Sequence, residues 1–265
     1  MEKALNLMNA AGIPNFRGFG GYPTTVKGHQ ETRKGLLYRS AHPGAMTEKG
    51  LAQIKERGVR CIIDLTCHDE KTIPYILPLN KLQREGIQVL HRPIEEGYFS
   101  LEKLLLKYDT FQERGAEAVS KAYLDLLEKG STTIRDIILI LKANQDAATL
   151  IHCSLGKDRT GLIFIILFLL MGVPYGMIEK EYCLSATGLM GSLEIIERFL
   201  MQRTNDDPKC SQRALQIITT HAETVQRTIS EIHSRYGGAY QYLEKHCDFT
   251  KEELSELIDI LTDGN

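Results

Sequence analysis

An α/β fold, with a mostly parallel central sheet wrapped by helices and a helical C-terminal cover, follows from three features of the sequence. Short apolar runs rich in β-branched or aromatic residues alternate with helical patterns in the N-terminal third. The run "AATLIHC" (147–153) is apolar on both faces, as a central parallel strand is. Beyond it the patterns are almost entirely helical.

Taken in order, "GLLYRSA" (35–41), "GVRCIIDLT" (58–66) and "IQVLHRPI" (87–94) are predicted strands, bounded by glycine or charge. Between the first two, "MTEKGLAQIKERG" is a short amphipathic helix with Thr47 as N-cap and Gly58 as its stop. Residues 98–130 carry apolar positions at helical spacing and end at Gly130, and "TTIRDIILILKAN" (132–144) is a further helix. After the 147–153 strand comes the oily run from Gly161 to Met177. It is too short to cross about 30 Å of hydrocarbon and Pro174 interrupts it, so a buried core helix is expected, and no membrane span. "PYGMIEKEYCLSAT" opens the next helix with proline in its first turn. A long amphipathic stretch follows, then "TKEELSELIDILT" with a capping pattern at Thr250 and Glu253.

The 265 residues, 43% hydrophobic and 25% charged, can bury one sizeable core. No repeat, low-complexity tract or linker divides them, so 1–265 is expected to be a single domain. A net charge of −2 gives no hint of a strongly basic nucleic-acid face or of an acidic tail, though net charge averages over any local patch. The six cysteines (61, 67, 153, 183, 210, 247) contain no CxxC pair, which excludes a zinc ribbon and a thioredoxin motif. The N-terminus "MEKALNLMNAAG" lacks the pattern of a signal peptide. Free buried thiols and a reducing, cytoplasmic setting are expected.

The segment "LIHCSLGKDRTG" (150–161) holds the chemistry. Strand, tight loop and helix together make an anion cradle: loop N–H groups converge and the helix dipole makes the spot positive. Cys153 sits at its rim, where N–H groups and cations favour the thiolate. Gly156 lets the backbone turn where a Cβ would crowd an anion. Arg159, six residues after the cysteine, can return a planar fork to the same spot and hold two oxygens, which lysine cannot. A nucleophile, a ring of donors and a bidentate clamp are what thiolate attack on a phosphate ester requires. Ser154, Leu155, Gly156, Lys157, Arg159 and Thr160 are the expected phosphate contacts, and Ser154 or Thr160 can donate a hydroxyl to the sulfur.

A nucleotide-binding loop is excluded, because the leading glycine is missing and aspartate follows "GK". His152 and Cys153 point to opposite faces of the strand, which argues against a shared metal and leaves His152 to orient the loop. No metal or other cofactor is expected.

"HCSLGKDRTG" matches the His-Cys-x5-Arg-Thr/Ser-Gly signature of cysteine-dependent phosphatases. Its "GKDRTG" form resembles the tyrosine-phosphatase-like family that includes bacterial lipid and protein phosphatases and fungal inositol phosphatases. "NFRGFGGY" (15–22) is similar to that family's Asn-Phe-Arg-Asp-Leu-Gly-Gly-Tyr, and "LLYRSA" to its Tyr-Arg-Ser element. "GVPYGMIEKEYCLS" and "RYGGAYQYLEKH" resemble its later helices, so the likeness runs over about 12–262. It implies a four- or five-stranded central sheet and phosphatase activity on phosphotyrosine proteins, phosphoinositides or inositol phosphates. Two departures stand out: Gly18 replaces the family's aspartate, and Thr66 replaces an arginine after Asp64-Leu65.

Protonating the leaving group needs a carboxylic acid. Asp158, inside the cradle, is the first candidate, as the resemblance also suggests. Asp64 is second, at the C-terminal end of a neighbouring strand, and Asp69 and Glu70 follow. Lys157 either adds charge beside the anion, favouring multiply phosphorylated substrates as in look-alike lipid phosphatases, or is a solvated loop lysine. His68, His91 and Arg92 lie at strand ends, as pocket residues or ordinary surface. Two other functions compete: a catalytically idle phosphate-binding module, and a rhodanese-like sulfur transferase.

Overall fold

The computed structural model describes residues 7, 8, 10–26, 28–67, 77–94, 101–204 and 207–264. The first half runs β1 (Arg17–Gly18), β2 (His29–Thr32), β3 (Leu37–Ser40), α1 (Glu48–Glu56), β4 (Val59–Asp64), α2 (Leu79–Arg84), β5 (Gln88–His91), α3 (Leu101–Lys129) and α4 (Ser131–Ala143). The second half runs β6 (Ala148–His152), α5 (Asp158–Leu170), α6 (Tyr175–Leu189), α7 (Leu193–Arg203), α8 (Cys210–Ile218), α9 (Ala222–Tyr236), α10 (Ala239–His246), α11 (Lys251–Leu261) and β7 (Thr262–Gly264).

The four predicted strands are β3, β4, β5 and β6, and they pair in parallel in the order β3-β6-β4-β5. The short β1 adds an antiparallel edge on β3, so the sheet has five strands. Register aligns Ser40, His152, Asp64 and His91 in one row at the C-terminal edge. That edge is where α/β folds gather their chemistry.

Alternation along each strand sorts the core onto two faces. Leu37, Cys61, Ile63 and Ile151 pack on one side with Phe164 and Phe168 of α5. Tyr38, Ile62 and Leu150 pack on the other with Leu51 and Ile54 of α1. Every side chain of α5 from Thr160 to Phe168 is buried, which explains its apolar circumference. Phe168 stacks on Phe19 at 4.4 Å and meets Tyr22 edge-on at 4.8 Å, pinning the N-terminal segment to the core. Among the described residues no helix is long and apolar enough to cross a membrane.

Thr47 caps α1 by accepting from the Gly50 N–H, and Thr250 and Glu253 form a reciprocal capping box on α11. Some elements differ from expectation. The helix expected over 98–130, of which 98–100 lie outside the described residues, is broken at Gly115, whose φ of 57° and ψ of −141° leave the helical region. The amphipathic stretch after residue 190 divides into α7, α8, α9 and α10. The helix α2 and the antiparallel β2–β7 ribbon have no counterpart in the sequence reading.

Candidate active site

The loop between β6 and α5 is shaped by what holds its carbonyl groups. The Ser154 carbonyl accepts from the His42 backbone N–H at 3.1 Å. Asn15 Nδ2 donates to the carbonyls of Leu155 and Gly156 at 2.9 and 3.2 Å. Arg39 Nη2 donates to those of Gly156 and Lys157 at 2.6 and 3.3 Å. No peptide bond here is cis. In a trans peptide the N–H lies opposite the preceding carbonyl, so the N–H groups of Leu155, Gly156, Lys157 and Asp158 point away from this scaffold, to the loop's concave side. Gly156 makes the turn at φ +62°; a Cβ there would lie 2.0 Å from the Ser40 carbonyl oxygen.

The scaffold is itself a buried ionic network. Glu181 on α6 takes Arg17 Nε at 2.6 Å and Arg39 Nη1 at 2.8 Å. Arg17 also reaches the Asn15 side chain, and Ser185 Oγ at 2.8 Å. Burial and the neighbouring Arg39 charge push the Arg17 guanidinium down to about 10, against the opposing pull of Glu181. Two guanidiniums thus share one carboxylate beneath the loop, leaving a positive balance there. Sequence reasoning passed over Asn15, Arg17, Arg39 and Glu181 as site residues. Charged residues inside otherwise apolar motifs, "NFRGF" and "LLYRSA", were the available signal.

Cys153 is 2% exposed at the start of the loop. Arg159 folds back, donating from Nη2 to Ser154 Oγ at 3.1 Å and from Nη1 to the Leu65 carbonyl at 3.3 Å. The Thr160 hydroxyl is buried and makes no hydrogen bond among the described residues. His152 is fully buried, its Nδ1 3.3 Å from the Cys153 carbonyl oxygen and its ring edge-on to His42 at 5.1 Å. Burial pushes His152 down to about 4, Asp64 pulling the other way, so the imidazole is neutral and donates through Nδ1. Burial also pushes the thiols of Cys61 and Cys247 up to about 11, so neither is a nucleophile at neutral pH.

The two carboxylate candidates differ in surroundings. Asp158 opens α5, and its Oδ1 accepts from Tyr123 Oη at 2.7 Å. Asp64 turns its Oδ1 to Thr66, taking the backbone N–H at 2.9 Å and the hydroxyl at 2.7 Å. Thr66, in the place of the family's arginine, therefore closes a turn with Asp64. Lys157 overturns the solvated-lysine expectation: it is 4% exposed, with Nζ on the carbonyls of Ile217 and, at 3.3 Å, Thr219. Those carbonyls end α8, where a cation is favoured. Half-buried His91 sits 2.7 Å from the Thr66 carbonyl, and Arg92 pairs with Asp136 at 3.8 Å. His68, Asp69 and Glu70 lie outside the described residues.

A parallel sheet that delivers a buried cysteine into such a loop, with an arginine folded back over it, defines the class: this is a cysteine-dependent phosphatase. The family model described as "Tyrosine phosphatase family" matches residues 8–263, and the chain belongs to that family. It is 27% identical over 228 residues to a tyrosine-protein phosphatase of Nostoc commune, covering 83% of this chain and 71% of the relative. Among solved structures, it is similar to TpbA of P. aeruginosa, with 16% identity, coverage of 69% and 87% of the two chains, and a TM-score of 0.36. It is also similar to the core catalytic domain of the PP-IP phosphatase SIW14 of S. cerevisiae, with 21% identity, coverage of 67% and 94%, and a TM-score of 0.32.

Proposed function

We propose that the protein hydrolyses phosphate monoesters, on phosphotyrosine proteins, phosphoinositides or inositol phosphates, through a cysteinyl-phosphate intermediate at Cys153. The observation that carries this reading is the outward tethering of the loop carbonyls by His42, Asn15 and Arg39. It leaves successive N–H groups turned to the side where a tetrahedral dianion sits beside the cysteine.

In the first step the Cys153 thiolate forms an S–P bond while the P–O bond to the leaving group breaks. Asp158 gives its proton to that departing oxygen. In the second step a water oxygen attacks phosphorus, the S–P bond breaks, and the water proton passes to Asp158. Phosphate leaves and the thiolate is restored. Arg159 clamps two phosphoryl oxygens in both steps. The Ser154 oxygen accepts from Arg159 and keeps its own proton, so either that hydroxyl or the buried Thr160 hydroxyl can donate to the departing sulfur. Asp64, occupied by Thr66, holds the turn beside the site and is the weaker acid candidate.

The test is hydrolysis with a chelator present, by wild type and Cys153→Ser, of a phosphotyrosine peptide, a phosphoserine peptide, phosphoinositides and soluble inositol polyphosphates. Release from at least one substrate, lost in Cys153→Ser, is expected. Substantial turnover by Cys153→Ser would sink the thiolate mechanism. No release with phosphate still bound would make the loop a binding module, and thiosulfate turnover would make it a sulfur transferase.

A further inference from the structure

We infer that Tyr123 and Tyr182 form a two-hydroxyl relay that positions the Asp158 carboxyl and sets how tightly it holds its proton; this rests on Asp158 being the general acid. Tyr123 comes from α3 and Tyr182 from α6, two helices that meet at the first turn of α5. Tyr123 Oη donates to Asp158 Oδ1 at 2.7 Å, and the two phenol oxygens are 2.8 Å apart. Both rings are buried, at 0% and 3% exposed. The direction of the chain is fixed by counting protons. Tyr123 has one hydroxyl proton, given to the carboxylate, so the link between the phenols uses the proton of Tyr182. The order Tyr182 to Tyr123 to Asp158 polarises each bond in the same sense.

Neither phenol competes for the negative charge. Burial, and then the charge of Asp158, push the proton affinities of both tyrosines up. The placement of Tyr182 depends on the loop's own signature. A Cβ at Gly161 would lie 3.3 Å from Tyr182 Cδ2 and Cε2 and 3.2 Å from Arg39 Nη2, so a side chain there would press on the ring and shift it by a few tenths of an ångström. Among the described residues, the titratable groups facing Asp158 include Tyr123 from α3 and Tyr182 from α6. Arg39 from β3 bonds the neighbouring Lys157 carbonyl, and Cys153, Lys157 and Arg159 belong to the same loop.

Two consequences follow for the reaction. Holding Oδ1 sets the plane of the carboxyl, so the proton that leaves with the alcohol is carried on the other oxygen. The hydrogen bond favours the ionised form, which is the form Asp158 takes after protonating the leaving group. Tyr123→Phe keeps the ring and removes the donor, so Asp158 retains its proton to higher pH. The alkaline limb of kcat/KM then moves upward by about half a pH unit or more. Turnover of a poor leaving group falls by roughly tenfold, and of a good one by less than about threefold. Tyr182→Phe shifts the limb in the same direction by a smaller amount, because it removes only the second link.

The experiment compares pH profiles of wild type, Tyr123→Phe, Tyr182→Phe and Asp158→Asn, with an aryl phosphate of acidic leaving group and a phosphotyrosine peptide, whose leaving group is a far weaker acid. A graded upward shift in the two tyrosine variants, with selective loss on the peptide, is the expected result. An unshifted limb in Tyr123→Phe with equal loss on both substrates overturns the relay, while Asp158→Asn still slowing only the peptide keeps Asp158 as the acid. Equal slowing of both substrates by Asp158→Asn overturns the acid assignment and the relay with it. Should Tyr123→Phe fail to fold, Tyr182→Phe decides, and an unshifted limb there overturns the proposal.

Discussion

Arg39 Nη2 donates to the Gly156 carbonyl oxygen at 2.6 Å while Nη1 holds Glu181 at 2.8 Å. One planar group on β3 thus ties the middle of the loop to α6. A lysine keeps the charge but, as a point donor on a flexible stem, cannot reproduce both bonds. Arg39→Lys is expected to release the Gly156 carbonyl and turn loop N–H groups out of convergence. Phosphate affinity measured by titration calorimetry should fall at least about tenfold, and stability to urea by about 1–3 kcal/mol. A folded Arg39→Lys protein that binds phosphate like wild type would remove Arg39 from the account of the loop.

Gly156→Ala tests the same contact from the other side. Its φ of +62° strains any side chain, and the added Cβ meets the Ser40 carbonyl oxygen at 2.0 Å and the Ala41 nitrogen at 2.6 Å. These are backbone atoms at the end of β3 and cannot step aside. We expect a loss of activity of about 100-fold or more and a melting temperature lower by several degrees. Gly176, exposed on α6 with nothing within 4 Å of a built Cβ, is the control. Gly176→Ala should raise stability by about 0.5–1 kcal/mol. A Gly156→Ala protein with the activity of that control would contradict the packing described.

What was legible in the sequence was local. The four parallel strands announce themselves through short runs of apolar, β-branched or aromatic residues, and the cysteine, glycine and arginine of the loop lie within seven residues of chain, Cys153 to Arg159. What escaped is set by distant partners. Tyr123 and Tyr182 are 59 positions apart and look like ordinary core residues of amphipathic helices until α3 and α6 meet. Glu181 reads as one more helix charge, although it neutralises guanidiniums from two segments more than 140 positions away. Thr32 of β2 pairs with Thr262 of β7, a contact that no local pattern encodes. The solvated reading of Lys157 failed for the same reason, since the carbonyl it reaches on Ile217 arrives 60 positions later.

That lysine gives a third prediction. Its buried ammonium closes the C-terminal end of α8 and fastens that helix to the loop. Lys157→Met keeps the apolar stem and leaves two carbonyls without their cation. Stability should fall by about 1–3 kcal/mol in urea. Hydrogen exchange should quicken first in α8, the element that loses its anchor. Unchanged exchange in α8 would mean that the ammonium does not hold this helix end.

The last prediction concerns acid. His152 is neutral in the folded protein because burial pushes it down to about 4 from an ordinary 6.5. Between those two values the unfolded chain binds a proton that the folded chain does not. Stability therefore rises with pH across that window; this contribution is complete above about 6.5 and is lost as pH falls toward 4. The shift corresponds to an effect on the order of 3 kcal/mol. His152→Asn keeps an amide donor for the Cys153 carbonyl and cannot titrate, so its stability should fall less steeply on acidification. Distant carboxylates act on both proteins alike, so the difference between the two urea-unfolding series reports His152 together with Asp64, 3.8 Å from its ring. Parallel curves from pH 6.5 to 4 would show that the imidazole takes up its proton in the fold as it does in the unfolded chain.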